Sequence, residues 1–246
     1  RGGAGRAGLM VARGGETAFC GSEGLREHAL ALKGRDDARE IHESVREAAR
    51  EASREAPARV VIGGAGLSGI QAAGEVAAWR DRNRAPVEVS LVEGLDEIFP
   101  GNDPEVQGAL RTRLEDADVE ILTGEFVSEV DPETVYVGGG EDEPADELAY
   151  DVLVWTGGIA GQPELADATV ERHERNGRLL AGRDFTTSDD RVFAIGDTAM
   201  IDQGEDDAAP PTAQAAWDAA DVAGQNLQPA GRGEPLRTAR HGAQGA

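Results

Sequence analysis

Apolar and polar positions alternate along the chain with two periods, which predict short strands separated by helices. Residues 59–63 and 86–93 are short apolar runs rich in valine, as in buried strands. A helix is predicted from Gly64 to about Arg82, because apolar or small residues there share one face: Leu67, Ile70, Ala73 or Gly74, and Ala77. The pattern therefore predicts a strand–helix–strand unit whose parallel strands are joined by a right-handed crossover.

Similar patterns predict elements on both sides of this unit. A helix is expected over residues 36–56, where Asp36 or Asp37 can cap its start and Pro57 ends it. Two further helices are expected over residues 104–116 and 212–227, and three further strands over residues 119–122, 150–155 and 191–195. Strands alternating with helices indicate the α/β class, with a Rossmann-like, doubly wound parallel sheet.

Other segments depart from the strand–helix alternation. Residues 126–130 and 134–137 flank Asp131-Pro132-Glu133, which predicts a hairpin and hence a small antiparallel layer. Residues 202–207 are polar and acidic and are expected to form a loop. The last segment, residues 228–246, is polar, glycine-rich and without a period, so a disordered tail is expected.

The charge balance is strongly acidic and narrows the classes of partner. The 246 residues carry 47 acidic and 24 basic side chains, a formal net charge of −23, and Lys33 is the single lysine. Such a surface repels nucleic acid, so no nucleic-acid partner is expected. Because the acids are spread along the chain, a surface adapted to high salt is favoured over a cation-binding function. A halophilic source would explain both features, and low salt should then weaken the fold.

Cysteine and histidine content excludes several kinds of site. Cys20 is the single cysteine, so neither an internal disulfide nor a CxxC redox pair is available, and the four histidines show no metal-ligand spacing. No apolar run reaches the ~18 residues that span a bilayer, and the start lacks the apolar core of a signal peptide. We therefore expect a cytoplasmic protein without a metal site. Because the sequence does not begin with Met, we also expect it to be part of a longer protein.

The most informative motif is a glycine pattern at the predicted strand-to-helix turn. Residues 64–69 fit G-x-G-x-x-G, directly after one strand and at the start of a helix. Gly64 permits the tight turn, Gly66 lets the backbone approach a pyrophosphate, and Gly69 lets the helix pack close to the sheet. The free N–H groups around Leu67 and Ser68 would hold the phosphates, assisted by the helix dipole.

An acidic residue stands where a ribose would lie. Glu93 ends the second strand, 24 residues after Gly69 and close to the expected spacing of about 20. Its carboxylate can accept hydrogen bonds from the adenine ribose hydroxyls and would repel a 2′-phosphate, which favours NADH over NADPH. The residues alone leave the ADP half of FAD as an alternative ligand, and a glycine-rich turn without a ligand as another.

Three motifs in this order resemble one enzyme family. They are VVIGGAGLSGIQAAGEVA at residues 60–77, RVFAIGDTA at residues 191–199 and PPTAQAAWDAA at residues 210–220. Residues 59–227 resemble the two-dinucleotide flavoprotein reductases of the FAD-dependent pyridine nucleotide-disulfide oxidoreductase superfamily, most closely the type II NADH dehydrogenases. In that family the first motif binds NADH and the other two contact the flavin.

The resemblance implies a role for several residues. Gly196 and Asp197 would meet the pyrophosphate and ribitol of FAD, with the Asp197 carboxylate accepting a ribitol hydroxyl. Gly157 lies in the segment that would pass near the crossing of the two domains. From the residues alone, Gly196 and Asp197 could equally mark an ordinary turn after a strand.

The same resemblance assigns the start of the last predicted helix. Thr212, Ala213 and Gln214 would begin a helix aimed at the isoalloxazine, where its positive end would face the charge of reduced flavin. Gln214 would lie between flavin and quinone and is the candidate catalytic residue. The helix could otherwise be a core helix, and Asp218 stands where the family pattern has Gln.

The expected function follows from these implied roles. The protein is expected to be an FAD-dependent NADH dehydrogenase that passes hydride from NADH to flavin and electrons to a quinone. The implied organisation has an FAD-domain remnant and linker helix (1–57), an NADH-binding domain (58–148) and the C-terminal half of the FAD-binding domain (149–227). The resemblance is compatible with a homodimer and with peripheral association at the cytoplasmic face of the cell membrane. The alternatives are a reductase with a protein or small-molecule acceptor, and a truncated NADH-binding fragment without turnover.

Overall fold

The structure of the chain is a computed structural model. It describes residues 8–19, 21–139, 144–204 and 207–239. The helices are α1 Leu25–His28, α2 Arg35–Glu51, α3 Leu67–Asn83, α4 Pro104–Glu115 and α5 Ala213–Arg232. The strands are β1 Leu9–Ala12, β2 Glu16–Thr17, β3 Leu30–Ala31, β4 Ala58–Gly63, β5 Val87–Glu93, β6 Val119–Thr123, β7 Val127–Val130, β8 Thr134–Val137, β9 Asp146–Ala149, β10 Val152–Trp155, β11 Ile159–Ala160, β12 Leu179–Ala181, β13 Val192–Ile195, β14 Ala199–Gly204 and β15 Asp207–Ala208.

The chain forms two compact units whose limits differ from the expected domain boundaries. The central unit is Phe19–Gly158, and the terminal unit combines Arg1–Ala18 with Ile159–Ala246. The central unit begins before the expected boundary at residue 57, because α2 packs against β4 and β10. It extends past the expected boundary at residue 148, because β10 lies inside the central sheet.

A five-stranded sheet in the order β3-β10-β4-β5-β6 forms the centre of the central unit. All its neighbouring strands are parallel, as expected for strands separated by helices. Side chains alternate between its two faces, so Val60 and Ile62 of β4 join the core beneath the helices while Val61 faces the other way. Residues of α2, α3 and α4 cover the first face.

The second face of this sheet is covered by an antiparallel layer. Strands β7, β8 and β9 form a three-stranded antiparallel sheet, which confirms the predicted hairpin and adds one strand to it. Val135 and Val137 of β8 pack with Leu153 and Trp155 of β10 in a shared core. The predicted α/β class, with its parallel sheet and antiparallel layer, is thus confirmed.

Helix α2 is shorter than its sequence pattern predicts. Asp37 does stabilise its start, because its Oδ2 accepts the N–H groups of Lys33 and Gly34 at 2.8 and 2.7 Å. The helix ends at Glu51 rather than at Pro57. The reason is a competing turn, in which the Ser53 N–H donates to the Ala56 carbonyl at 3.0 Å and the Ser53 hydroxyl accepts the Ala56 N–H at 3.2 Å.

The terminal unit is built from small sheets and one long helix. Strand β1 pairs in parallel with β13, β11 pairs with β2, and β12, β14 and β15 form a three-stranded sheet. The acidic segment expected as a loop is therefore partly a hairpin of β14 and β15. Helix α5 packs on β13, with Ala219 and Ala223 in the core. Within the described residues, no helix is both long and apolar enough to span a membrane.

The expected disorder from residue 228 onward is wrong for residues 228–239. Helix α5 continues to Arg232, and the segment after it folds back along the helix. Asn226 is fully buried, and its side chain exchanges hydrogen bonds with the Arg237 backbone at 2.8 and 2.9 Å. Leu236 and Ala239 then pack against the core. The rest of the predicted tail, residues 240–246, lies outside the described residues.

Candidate functional site

The glycine loop between β4 and α3 is held on several sides by backbone contacts. The Gly64 N–H donates to the Val92 carbonyl, and the Ala65 carbonyl accepts the Phe99 N–H, both at 2.7 Å. These bonds tie the loop to the end of β5 and to the segment that follows β5. Because parallel strands of an α/β sheet bind ligands at their carboxyl ends, the loop lies where a ligand is expected.

Two of the three fingerprint glycines are required by the protein itself. Gly64 has φ +91°, and a Cβ placed on it would lie 2.7 Å from the Gly157 Cα, so neither its backbone nor its surroundings tolerate a side chain. A Cβ on Gly69 would lie 1.8 Å from the Gly64 carbonyl oxygen. These contacts agree with the predicted roles in turning the chain and in close helix packing.

Gly66 is different, because nothing in the described structure requires a glycine there. It occupies the position before α3 with φ −70° and ψ −177°, which any residue can adopt. A Cβ placed on it would meet no atom within 4 Å. Open space therefore faces Gly66 in the free protein, and the absence of a side chain keeps that space clear for a ligand.

The first turn of α3 supplies the groups that would bind an anion. The N–H groups of Leu67, Ser68 and Gly69 lie in the first turn, where a helix offers them no acceptor of its own. The side chains of Leu67 and Ser68 are exposed, with 54% of Leu67 accessible. A helix N-terminus with free amides and an exposed approach is suited to a phosphate.

Glu93 lies beside this loop, as its position in the sequence predicts. Its Oε2 accepts the Ala65 N–H at 2.7 Å, and its Oε1 accepts the Leu95 N–H at 3.1 Å. Both bonds orient the carboxylate at the carboxyl end of β5. Each carboxylate oxygen has a second lone pair, so the group can still accept hydroxyl donors from a ribose.

Sequence reasoning missed the contribution of Thr156 at the end of β10. Its hydroxyl lies 2.8 Å from the Gly64 carbonyl oxygen and 3.0 Å from that of Gly63, and its N–H donates to the Gly63 carbonyl at 2.8 Å. Thr156 therefore holds the glycine loop from the β10 side, while Gly157 packs against Gly64. A threonine directly after a buried strand is the weak signal that could have found it.

In the terminal unit, Gly196 and Asp197 follow β13 as predicted. Gly196 has φ +74°, which favours glycine at this turn. The carboxyl ends of the parallel strands β1 and β13 bring Gly15 next to them, and a Cβ on Gly15 would lie 3.3 Å from the Asp197 Cβ. The turn thus combines a carboxylate with glycine-rich backbone at the carboxyl edge of a parallel pair.

A buried arginine that sequence reasoning did not find supports this turn. Arg178 is 7% exposed, its Nε donates to the Asp197 carbonyl at 2.8 Å, and its Nη2 donates to the Ala199 carbonyl. Burial lowers the pKa of Arg178, and the nearby Asp197 charge opposes that change. Because an arginine with a lowered pKa is still protonated at neutral pH, Arg178 provides a fixed positive charge next to Asp197.

The turn contains groups that fit a flavin dinucleotide. The Thr198 side chain is fully buried, and its hydroxyl has no hydrogen-bond partner among the described residues. Asp197 is partly exposed and supplies an acceptor for a sugar hydroxyl. Gly14 offers open space, since a Cβ there would meet nothing within 4 Å. One hydroxyl without a partner, an acceptor carboxylate and open glycine backbone are together compatible with FAD.

Helix α5 begins where the sequence predicts, and its first turn gives Gln214 a local partner. Thr212 is the N-cap, and its hydroxyl accepts the Ala215 N–H at 3.2 Å. Ala213 is the first helical residue and is exposed. The Gln214 amide is also exposed, and its Nε2 donates to Asp218 Oδ1 at 2.8 Å. The residue that departs from the family pattern, Asp218, therefore holds the Gln214 side chain along the helix surface.

Comparison with known proteins identifies a family. The sequence profile of the pyridine nucleotide-disulphide oxidoreductases matches residues 7–220. A type II NADH:quinone oxidoreductase from Staphylococcus aureus is 27% identical over 245 residues, which covers 89% of this chain and 57% of that protein. The chain therefore spans little more than half the length of this relative.

Solved structures of two other proteins have a similar fold. NDH2 from Plasmodium falciparum in complex with NADH matches with a TM-score of 0.65 at 19% identity, covering 79% of this chain and 44% of that one. The water-forming NADH oxidase from Lactobacillus brevis bound to NADH matches with a TM-score of 0.68 at 19% identity, covering 94% and 47%. At this identity the likeness establishes the fold, and it confirms the Rossmann-like α/β class.

Proposed function

Because this chain belongs to the pyridine nucleotide-disulphide oxidoreductase family, we propose that it forms the NADH-binding part and a share of the flavin-binding part of an NADH dehydrogenase. The central unit carries the NADH site, at the loop of residues 64–69. The terminal unit carries the contributions to the flavin site. The whole enzyme oxidises NADH and passes the electrons to a quinone, the acceptor named for the Staphylococcus aureus relative.

The single observation that carries this proposal is the open space at Gly66. Gly64 and Gly69 would be glycine even in a protein that binds nothing, since their surroundings exclude a Cβ. Nothing in the surroundings of Gly66 excludes a Cβ in the free protein. A ligand that approaches the backbone there would exclude one. A pyrophosphate held by the first-turn amides of α3 fits that requirement in charge and in its close approach to the backbone.

The position of Glu93 favours NADH over NADPH. Its carboxylate is oriented by the Ala65 and Leu95 amides and lies one strand away from the pyrophosphate position. A ribose with both hydroxyls free would donate to it, whereas a 2′-phosphate would be repelled. Oriented charges at close range discriminate more strongly than exposed surface charges.

The flavin site in this proposal uses Gly196, Asp197 and the start of α5. Asp197 accepts a sugar hydroxyl, while Arg178 beneath it fixes the position of the turn. Thr212 and Ala213 begin the helix whose free amides would face the flavin ring. Bound flavin supplies the capacity to accept hydride and release electrons singly or in pairs. Gln214, held by Asp218, would lie on the acceptor side.

Absorbance spectroscopy of the purified chain tests this proposal. The chain is incubated with FAD in molar potassium chloride, freed of unbound flavin and titrated with NADH without oxygen. The proposal predicts retained flavin whose absorbance NADH bleaches, and NADH oxidation on adding a soluble quinone. NADH binding without bleaching would reduce the function to nucleotide binding, and absence of NADH binding would overturn it. If a basic electron-transfer protein were reduced faster than quinone, the proposed acceptor would be that protein and not quinone.

A further inference from the structure

The exposed apolar side chains of the central unit are concentrated at one edge of its sheet. Within its described residues, the exposed large hydrophobic side chains are Leu67, Leu95, Val106 and Phe126, at 54, 49, 46 and 66% accessible. All four follow the carboxyl ends of parallel strands or lie in the first turn of the next helix. Single exposed apolar residues are ordinary, but a set gathered at the ligand edge of an α/β sheet indicates a binding surface.

Phe126 and Leu95 form the part of this surface beside Glu93. The Leu95 N–H donates to Glu93 Oε1 at 3.1 Å, which fixes the Leu95 backbone next to the carboxylate. The Phe126 ring packs on Gly94, where an added Cβ would lie 2.3 Å from Phe126 Cδ1. Gly94 thus leaves room for an aromatic ring immediately after Glu93, and most of that ring remains accessible.

Backbone hydrogen bonds fix the two segments to each other. The Gly124 N–H donates to the Leu95 carbonyl at 2.9 Å, and the Glu125 N–H donates to the Glu93 carbonyl at 3.4 Å. The carboxylate of the neighbouring residue, Glu125, does not cover the Phe126 ring. It lies over Gly138, where an added Cβ would be 2.2 Å from Glu125 Oε2. Phe126 is therefore held in place beside the Glu93 segment rather than on a free loop.

The order of the strands determines which part of NADH would meet this ring. Strands β4, β5 and β6 are consecutive neighbours, spaced about 4.8 Å apart. In the proposed function the pyrophosphate lies at the end of β4 and the adenine ribose at Glu93, at the end of β5. The base attached to that ribose continues toward the end of β6, where Phe126 follows Thr123.

We propose that Phe126, assisted by Leu95, is the platform on which the adenine base of NADH stacks; this inference rests on the proposed function. An aromatic face binds a purine by stacking and requires no match of donors and acceptors. Phe126 therefore contributes affinity for the adenosine half of the ligand and takes no part in the transfer of hydride. A dinucleotide with hypoxanthine in place of adenine should bind about as well as NADH, because stacking does not depend on the hydrogen-bonding groups at the edge of the base.

Fluorescence titration of the full chain with NADH tests this inference, with ADP-ribose as a competitor. Phe126→Ala should raise the Kd for both ligands about tenfold, since both contain adenine. Phe126→Trp restores the ring and should restore the affinity. Tyr136→Ala is the matched control, because Tyr136 is a partly exposed aromatic residue on β8 of the same unit whose hydroxyl donates to Asp131 Oδ2 at 3.0 Å and which takes no part in the proposed site. It should leave both Kd values unchanged.

Three results would overturn the inference while leaving NADH binding intact. They are an unchanged Kd in Phe126→Ala, a loss for NADH without an equal loss for ADP-ribose, and a Phe126→Trp variant as weak as Phe126→Ala. If Phe126→Ala melts below the assay temperature, Phe126→Leu, which keeps apolar volume without an aromatic face, replaces it. A wild-type chain that binds no NADH would instead overturn the proposed function, and this inference with it.

Discussion

Substituting Gly66 by Ala separates the requirements of the ligand from those of the fold. The free protein should tolerate the change, because the backbone at Gly66 is extended and an added Cβ meets nothing within 4 Å. An N-cap alanine costs up to about 1 kcal/mol relative to glycine, and the lower entropy of the unfolded chain returns about 0.4–1 kcal/mol. We therefore expect a change in the free energy of unfolding within about 0.5 kcal/mol.

The effect on NADH binding should be much larger. A methyl group projecting about 1.5 Å from the backbone would occupy the space in which a phosphate oxygen must come within about 2.9 Å of an amide nitrogen. Loss of one charge-assisted hydrogen bond, about 1.5–3 kcal/mol, raises the Kd at least about tenfold. Urea unfolding and NADH fluorescence titration measure the two effects separately.

Gly74 is the matched control for this experiment. It lies in the same helix, and a Cβ there also meets nothing within 4 Å. Gly74→Ala should stabilise the chain by up to about 1 kcal/mol and leave the Kd for NADH unchanged. If Gly66→Ala bound NADH as tightly as the wild type, the pyrophosphate would not rest on this backbone and the reasoning from the open space would be refuted.

Three further substitutions test the supports of the two sites and an ion pair near the start of β4. Thr156→Val removes the donor to the Gly64 carbonyl, so it should destabilise the chain by about 1 kcal/mol and weaken NADH binding. Thr156→Ser keeps the hydroxyl and should have neither effect. Urea unfolding measures the stability, and titration measures the NADH affinity. Asp197→Ala should lower the amount of flavin retained per chain after gel filtration and leave the Kd for NADH unchanged. Full retention of flavin by this variant would show that Asp197 does not contribute to the flavin site. Burial raises the pKa of Asp151, but hydrogen bonds from Arg59 outweigh burial and hold it below 3.8. The stabilisation from this carboxylate is thus present above pH 3.8 and lost as pH falls through the folded-state pKa, so the stability deficit of Asp151→Asn at neutral pH should disappear in acid; a deficit independent of pH would contradict this.

Much of the candidate NADH site could be predicted because its signals are local. Strand, glycine pattern and helix follow one another within residues 59–83, so periodicity and turn chemistry define the loop without knowledge of distant contacts. Glu93 could be predicted for the same reason, since one crossover separates it from Gly69. The family membership confirms the resemblance carried by the three motifs.

The supports of the site could not be predicted because they come from distant parts of the chain. Thr156 reaches Gly64 across 92 positions, since β10 inserts between β3 and β4. The proposed role of Phe126 can be inferred only when β6 is known to lie beside β5. The extension of α5 likewise depends on the buried side chain of Asn226, which binds the backbone of a later segment. Composition alone makes that segment resemble a disordered tail.

The central claim is that a dinucleotide rests on the first turn of α3 with its ribose held by Glu93. Parallel titrations of the wild type and Glu93→Gln with NADH and NADPH in molar salt test it most directly. The account predicts that the wild type binds NADH at least about tenfold more tightly than NADPH, and that Glu93→Gln narrows the difference by removing the charge that repels the 2′-phosphate. Equal affinities of the wild type for the two nucleotides, or a difference that Glu93→Gln leaves intact, would contradict it.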